Sequence, residues 1–267
     1  MSRALNGKYI VNTRAAHQAE AFNVLLRARG AVPLDYPSIA IAPPEDSTLL
    51  DAALCNLIAG RFDWLILTSA NTVMAVAQRL KALELTLTGA AFRTAAVGPA
   101  TAEAAQTQLG LDLFDLPPQY IAESLAEHLP IETGTQVLLP ESAVARPTLA
   151  NRLLERGAVV RVVDAYQTIC GQGGVDLARL LAQKRIDALT FTSSSTVSYF
   201  LERLDKEGGR REDALALCAA CIGTKTAAIA RECGFTVVTT AIEHTLDGLI
   251  DALDTYFANR IDIGKQP

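Results

Sequence analysis

The sequence predicts an α/β fold: parallel sheets flanked by helices and divided between two similar domains. Three observations carry that prediction. Apolar segments of strand length alternate with segments of helical period along the whole chain. Asp63 to Leu67 (DWLIL) is a continuous apolar run, the kind buried on both faces of a parallel sheet. The order strand, hydroxyl turn, helix, strand, Gly-x-x-Thr turn occurs twice, with Ser69 and Ser193 lying 124 residues apart and Thr101 and Thr226 lying 125 apart.

Taken in order, Lys8 to Thr13 reads as a strand and Ala15 to Arg29 as a helix, with Ala16, Ala19, Phe22, Leu25 and Leu26 on one face and Gly30 as its stop. Ala31 to Tyr36 is the next strand. Pro37, Pro43 and Pro44 then mark an extended crossing and a domain boundary, because proline holds its predecessor out of helical geometry. Asp46 to Ile58 reads as a helix, and the strand to Leu67 ends in Thr68-Ser69-Ala70-Asn71 before a helix to Leu83. Phe92 to Val97 is a strand that runs through Gly98 into a helix to Leu109. Leu111 to Leu116 is expected to form a short strand closed by Pro117-Pro118, followed by a helix from Ala122 to His128. Gln136 to Leu139 is a strand, Arg146 to Arg156 a helix stopped by Gly157, and Val159 to Thr168 a long strand. The Gly171-Gln172-Gly173-Gly174 break opens the last third. There the pattern returns: helix to Lys184, strand Asp187 to Phe191, Thr192-Ser193-Ser194-Ser195, a helix, a polar loop from Glu207 to Glu212, and a strand to Ile222. The Gly223 turn, a helix to Cys233, a strand from Phe235 to Thr239 and a helix from Leu246 to Phe257 complete it. The arginine-bearing units match as well, Thr13-Arg14 with its helix and Arg29-Gly30-Ala31-Val32 answering Arg146 with its helix and Arg156-Gly157-Ala158-Val159.

Composition narrows the partner. The 267 residues are 50% hydrophobic and 20% charged with a net charge of −5, and no block of Lys or Arg forms a stripe, which argues against nucleic acid or a membrane surface. No stretch approaches the roughly 18 apolar residues of a membrane span, and the start lacks the apolar run of a signal peptide, so a cytoplasmic protein is expected. Five cysteines scattered in apolar segments suit a reducing compartment. Cys218-Ala-Ala-Cys221 has redox or metal spacing, but the three histidines show no matching ligand pattern, and burial at a strand is the expected role.

Chemistry is expected where ligands meet open parallel sheets, outside the carboxyl ends of the strands, and Arg14, Ser69, Asn71, Thr101, Ser193, Ser195 and Thr226 all fall there. Each Gly-x-x-Thr turn leaves backbone N–H groups of a helix start converging on one spot with the helix dipole behind them, which suits an anion. Taken singly, Gly98 and Gly223 serve a tight turn and Thr101 and Thr226 cap helices; two copies in register favour binding. The rim is rich in hydroxyls and poor in acids. It lacks a Gly-x-Gly-x-x-Gly or Gly-Lys-Ser/Thr loop, a His-Asp-Ser order and a carboxylate pair, so it reads as a binder of carboxylates or phosphates. Tyr166 could face a cleft between domains, where a phenol can donate a proton or hydrogen bond; taken alone it reads as a half-buried strand aromatic.

The segments LTSANTV (67–73), AVGPATAEA (96–104), RPTLANRLLERGAVVRVVDAYQT (146–168), FTSSSTV (191–197), IGTKTA (222–227) and HTLDGLIDAL (244–253), in this order and spacing, resemble the uroporphyrinogen-III synthase family over essentially the full chain. The family's tyrosine before x-Thr falls on Tyr166 and its Gly-x-x-Thr threonines on Thr101 and Thr226. Ser142 stands where members often carry a glycine, and Ser194 and Thr224 where they often carry prolines. The resemblance implies two flavodoxin-like domains joined by two hinge strands: residues 1–38 plus 171–267, and 43–166, with hinges at 37–43 and 166–174. A two-strand connection carries few contacts, so the domains are expected to rotate and close on ligand. The resemblance further implies that hydroxymethylbilane, a linear tetrapyrrole bearing acetates and propionates, is closed to uroporphyrinogen III with loss of water and inversion of ring D. Tyr166 is then the catalytic residue, and Arg14, Ser69, Asn71, Thr101, Ser142, Arg146, Ser193, Ser195 and Thr226 hold the substrate. No metal or organic cofactor is expected, and a monomer is. The rival expectations are a two-domain receptor for an anionic small molecule, and a nucleotide- or sugar-phosphate enzyme on the same fold.

Overall fold

The computed structural model describes residues 4–263. In chain order the elements are β1 (Tyr9–Asn12), α1 (Ala16–Ala28), β2 (Val32–Asp35), β3 (Ile39–Ala42), α2 (Thr48–Ile58), β4 (Trp64–Leu67) and α3 (Ala70–Ala82). There follow β5 (Arg93–Ala96), α4 (Pro99–Leu109), α5 (Ala122–His128), β6 (Gln136–Ser142), α6 (Thr148–Glu155) and β7 (Val159–Cys170). The last third holds α7 (Leu177–Ala182), β8 (Ala188–Phe191), α8 (Ser194–Lys206), α9 (Arg211–Leu215), β9 (Cys218–Cys221), α10 (Thr224–Glu232), β10 (Val237–Thr240) and α11 (Leu246–Ile263). The chain forms two compact units, one from the residues up to Ala40 together with those from Ile169 onward, the other Ile41–Thr168.

In the first unit the sheet order is β10-β9-β8-β1-β2, and every neighbouring pair is parallel. Counted within the unit this is 2-1-3-4-5, the flavodoxin-like winding. Side-chain alternation explains its two covered faces. Val11, Leu189, Ala219 and Cys221 point into one core with Phe191, Phe200 and Phe235, while Ile10, Ala188, Cys218 and Ala220 point into the other with Phe22, Leu26 and Leu253. The Cys-Ala-Ala-Cys segment is β9 itself, so a spacing of three sends the two thiols to opposite faces; burial pushes both up to about 12.

The second unit has the order β3-β7-β6-β4-β5, with β7, β6, β4 and β5 mutually parallel. These four repeat the spatial order of β2, β1, β8 and β9, but the chain enters elsewhere. The pair β1 and β2 opens its unit, whereas its counterpart β6 and β7 closes the other.

Three expectations are corrected. Leu111 to Leu116 forms no strand: one backbone bond, Phe114 N–H to the Thr94 carbonyl at 2.8 Å, stands where its counterpart β10 has a full ladder. The alternation survives, with Leu111 and Leu113 against one core and Phe114 against the other. Asp112, Asp115 and the two prolines that follow disfavour the ladder itself. The extended crossing at the prolines contains β3, and the polar loop expected over Glu207 to Glu212 gives way at Arg211 to the short α9.

Where the chain leaves the first unit, two segments run in close contact. Gly171 donates its N–H to the Ser38 carbonyl at 2.9 Å, and a Cβ at Gly171 would lie 1.9 Å from the Pro37 oxygen. Only glycine fits there. Arg203 of α8, 4% exposed, closes the same junction. Its Nη1 donates to the Pro37 carbonyl at 2.7 Å, its Nη2 to the Gly173 carbonyl at 2.6 Å and its Nε to Glu207 at 2.8 Å. The guanidinium also lies 3.8 Å from the ring centre of the fully buried Tyr36, whose hydroxyl donates to Glu207 at 2.7 Å. Burial, and then that bond, push the Tyr36 phenol up. Arg203→Met is expected to leave the two carbonyls unpaired and to lower unfolding stability by about 2 to 4 kcal/mol, read as a fall in the urea midpoint. A midpoint within error of the parent would contradict this account.

Candidate active site

In the first unit the strand order reverses between β1 and β8, and their carboxyl ends are tied together. Thr13 Oγ1 donates to the Thr190 carbonyl at 2.5 Å and Thr190 Oγ1 to the Val11 carbonyl at 2.7 Å. Arg14 follows directly. Its N–H donates to Asn12 Oδ1 at 3.1 Å, and Asn12 is held in turn by Asn23 at 2.9 Å, which donates to the Asp35 carboxylate at 2.9 Å. The guanidinium donates only to Gln18, at 3.2 and 3.3 Å, and forms no ion pair among the described residues. Burial lowers its pKa. A partly buried cation without a counter-ion at a switch point is a place for an anionic ligand. Beside it, Ser193 is the N-cap of α8, accepting from the Thr196 N–H at 3.2 Å and touching Ser195 Oγ at 2.9 Å.

The second unit repeats this between β6 and β4. Ser69 caps α3, accepting from the Thr72 N–H at 3.1 Å, and Asn71 lies in that helix's first turn. Ser142 ends β6. Arg146 is exposed before α6, with no hydrogen bond or ion pair among the described residues.

The Gly-x-x-Thr turns differ from the simple expectation. Gly98 and Gly223 are themselves the N-caps of α4 and α10, at φ −160° and −168°, extended values that any residue adopts. The threonines are the third helical residues and not caps. There a side chain leans back toward the helix start. Thr101 and Thr226 are 7% and 5% exposed, and neither hydroxyl has a hydrogen-bond partner among the described residues. Ser69 and Ser193 thus accept from their own helices, while the threonines keep their hydroxyls uncommitted at the positive end of a dipole.

Tyr166 is aimed by a bulge. β6 and β7 pair one to one as far as Glu141 and Asp164, then Ser142 pairs with Tyr166, leaving Ala165 as the extra residue. Ala165 and Tyr166 consequently line the same cavity of about 110 Å³, with Pro43, Ser47, Gln78 and Arg79. Tyr166 is 9% exposed, more buried than a half-buried strand aromatic. The same bulge singles out Glu141, which the acid-poor reading of the rim passed over. It is 7% exposed, no hydrogen bond or ion pair holds it among the described residues, and burial, then the facing Asp164, push its carboxyl up. An acid as the last buried residue of QVLLPES was the signal in the sequence.

Comparison with known proteins bears on these rims. A family profile described as "Uroporphyrinogen-III synthase HemD" matches residues 20–251. A curated "Uroporphyrinogen-III synthase" of Synechococcus elongatus is 37% identical over 259 residues, covering 94% of this chain and 96% of its own. The chain belongs to the uroporphyrinogen-III synthase family. Solved uroporphyrinogen III synthases share its fold. A mutant from the extremely thermophilic bacterium Thermus thermophilus aligns with a TM-score of 0.60 at 23% identity, covering 95% of this chain and all of that one. The enzyme of Helicobacter pylori also aligns at 0.60, with 18% identity over 94% of this chain and 99% of its own. Among the described residues no helix is long and apolar enough to cross a membrane.

The division of hydroxyls can be measured. Ser69→Ala and Ser193→Ala are each expected to cost about 1 kcal/mol of stability as lost caps. Thr101→Val and Thr226→Val should leave the denaturant midpoint nearly unchanged; equal losses in all four would show the threonines to be internally bonded. Glu141 gives a pH signature. Its folded-state pKa is raised, so the stability it contributes is complete below the ordinary Glu range and is lost as pH rises through the folded value. Glu141→Gln should therefore raise the midpoint at pH 7 and abolish that loss, and an unchanged pH profile would refute the raised pKa.

Proposed function

We propose that this protein closes hydroxymethylbilane to uroporphyrinogen III, with loss of water and inversion of ring D. In a chain of the synthase family, the observation that carries this reading is the pair of Gly-x-x-Thr helix starts, each presenting the uncommitted hydroxyl of a threonine that is otherwise more than nine-tenths buried. The substrate carries many carboxylates and the protein is acidic overall, so local N–H groups, hydroxyls and the guanidinium of Arg14 must do the holding. Selection between ring closures needs one pose of a flexible chain, and placed hydrogen bonds at helix starts supply it. Unaided closure gives the type I isomer.

The leaving hydroxyl of ring A requires a proton or a hydrogen bond, and Tyr166 is the proposed donor. The substituted carbon of ring D then attacks to give a spiro intermediate that fragments and recloses. The electron-rich pyrrole assists departure of the hydroxyl, so the donor contributes only part of the rate. We further propose substrate contacts for Ser69, Asn71, Ser142, Arg146, Ser193 and Ser195 beside the threonines, and a monomer working in the cytoplasm on this small molecule. Two flavodoxin-like domains that close on ligand about the segments at 37–43 and 166–174 accompany the proposal.

Freshly made hydroxymethylbilane, added to the purified protein and resolved by isomer, tests the reading. Type III product above the spontaneous type I background is expected; type I alone would end it. Tyr166→Phe should reduce kcat about ten- to hundredfold, the effect of losing one transition-state hydrogen bond of ~1.4 to 3 kcal/mol. Full rate with pure type III product would remove Tyr166 from the donor role.

A further inference from the structure

Each Gly-x-x-Thr helix start is covered by an aromatic ring, and the two rings are equivalent in the internal repeat. Tyr120 lies over Gly98, where an added Cβ would be 3.4 Å from the tyrosine Cβ and 3.5 Å from its Cγ. His244 lies over Gly223, where an added Cβ would be 3.2 Å from Nε2 and 3.3 Å from both Cδ2 and Cε1. Tyr120 and His244 are 124 residues apart, the interval that also relates Ser69 to Ser193. The ring bears on the choice of glycine at Gly223, while at Gly98 an added Cβ would make ordinary van der Waals contact. The φ values of both are extended and ask nothing of glycine, whereas at Gly223 an added Cβ would press on the ring, which would have to give by a few tenths of an ångström.

The two rings are presented differently. Near-equal distances to three imidazole atoms place the glycine against the ring's face, which leaves both nitrogens free to act in the ring plane. Tyr120 touches its glycine only at the root of the side chain, and its ring runs on into solvent, the residue being 59% exposed. Neither ring has a hydrogen-bond or ring-stacking partner among the described residues. Each loop also exposes an isoleucine, Ile121 at 47% and Ile242 at 98%. Each helix start therefore combines a free threonine hydroxyl with a ring, and the loop that carries the ring exposes an apolar side chain. A carboxylate attached to a flat apolar ring matches that combination; a bare inorganic anion would use only part of it.

We propose that Tyr120 and His244 contact the substrate at these two helix starts, Tyr120 stacking on a pyrrole of the bilane and His244 hydrogen-bonding one of its carboxylates. This rests on the reading of the protein as a synthase. Both residues act in positioning substrate and neither transfers the proton of the leaving group.

The test compares Tyr120→Phe, Tyr120→Leu, His244→Gln and His244→Leu in the full chain, with thermal melts as the folding control. Tyr120→Leu and His244→Leu are expected to raise KM about three- to tenfold, with kcat within about twofold of the parent and some type I isomer appearing. Tyr120→Phe keeps the ring and His244→Gln keeps a donor, so both should stay near parent values. Parent KM and pure type III product in both leucine variants would overturn the proposal. So would equal losses in Tyr120→Phe and Tyr120→Leu, or in His244→Gln and His244→Leu, because then the ring or the donor is not what matters. A titration of uroporphyrin III followed by its absorbance separates the two readings. If the parent forms no type III product, the synthase reading fails and this titration alone decides the ring contacts, with equal binding by parent and leucine variants overturning them.

Discussion

The Arg203 guanidinium is the interaction on which the rest of the first unit depends. Two carbonyls, of Pro37 and Gly173, lie at the places where the chain departs from and returns to that unit, and one side chain satisfies both. Proline has no N–H to donate to a ladder and a glycine run has no intrinsic preference for one, so the backbone bonds from Gly171 to Ser38 and from Val175 to Asp35 are reinforced by this side chain. The planar fork with several donors at fixed angles is what makes one residue sufficient, and a lysine in its place would meet at most part of the demand. Arg203 also sits on the helix that begins at the Ser193 cap. A single 13-residue helix thereby forms part of the rim at one end and secures both linking segments near the other.

The rims owe their chemistry to topology. A parallel sheet with crossover helices places every strand's carboxyl end and every following helix start on one side. The two units reach the same spatial order with the chain entering at different strands, and the same side chains recur at matching places: hydroxyl caps after β4 and β8, glycine caps after β5 and β9, an arginine after β6 and β1. This is why an anion-binding reading gains from two copies what it lacks from one.

Much of this was legible in the sequence for a physical reason. Continuous apolar strands, proline crossings and glycine stops are local signals, and the α/β class, the internal repeat and the position of the hydroxyl turns follow from them. Features set by tertiary contact were not. The segment around Phe114 alternates as a strand should, and only the absence of a ladder neighbour's full set of bonds distinguishes it from β10. That Gly98 and not Thr101 caps α4 depends on where the helix begins, a matter of one or two residues that propensity does not resolve. The bulge that turns Tyr166 beside Ala165, the isolation of Glu141 and the rings over Gly98 and Gly223 arise between segments far apart in the chain.

The placement of Cys218 and Cys221 on opposite faces of β9 has a practical consequence for anyone attaching a reporter group. Alkylating reagents capture thiolate, and a thiol pushed up to about 12 stays protonated at neutral pH, here behind walls of packed side chains. A maleimide dye would pass over both and react with the exposed Cys55, whose side chain projects from α2 in the second unit, and with the partly exposed Cys170 and Cys233 of the first. A fluorescent label can thus be directed to the second unit once Cys170 and Cys233 are replaced, with the two buried thiols of β9 left in place.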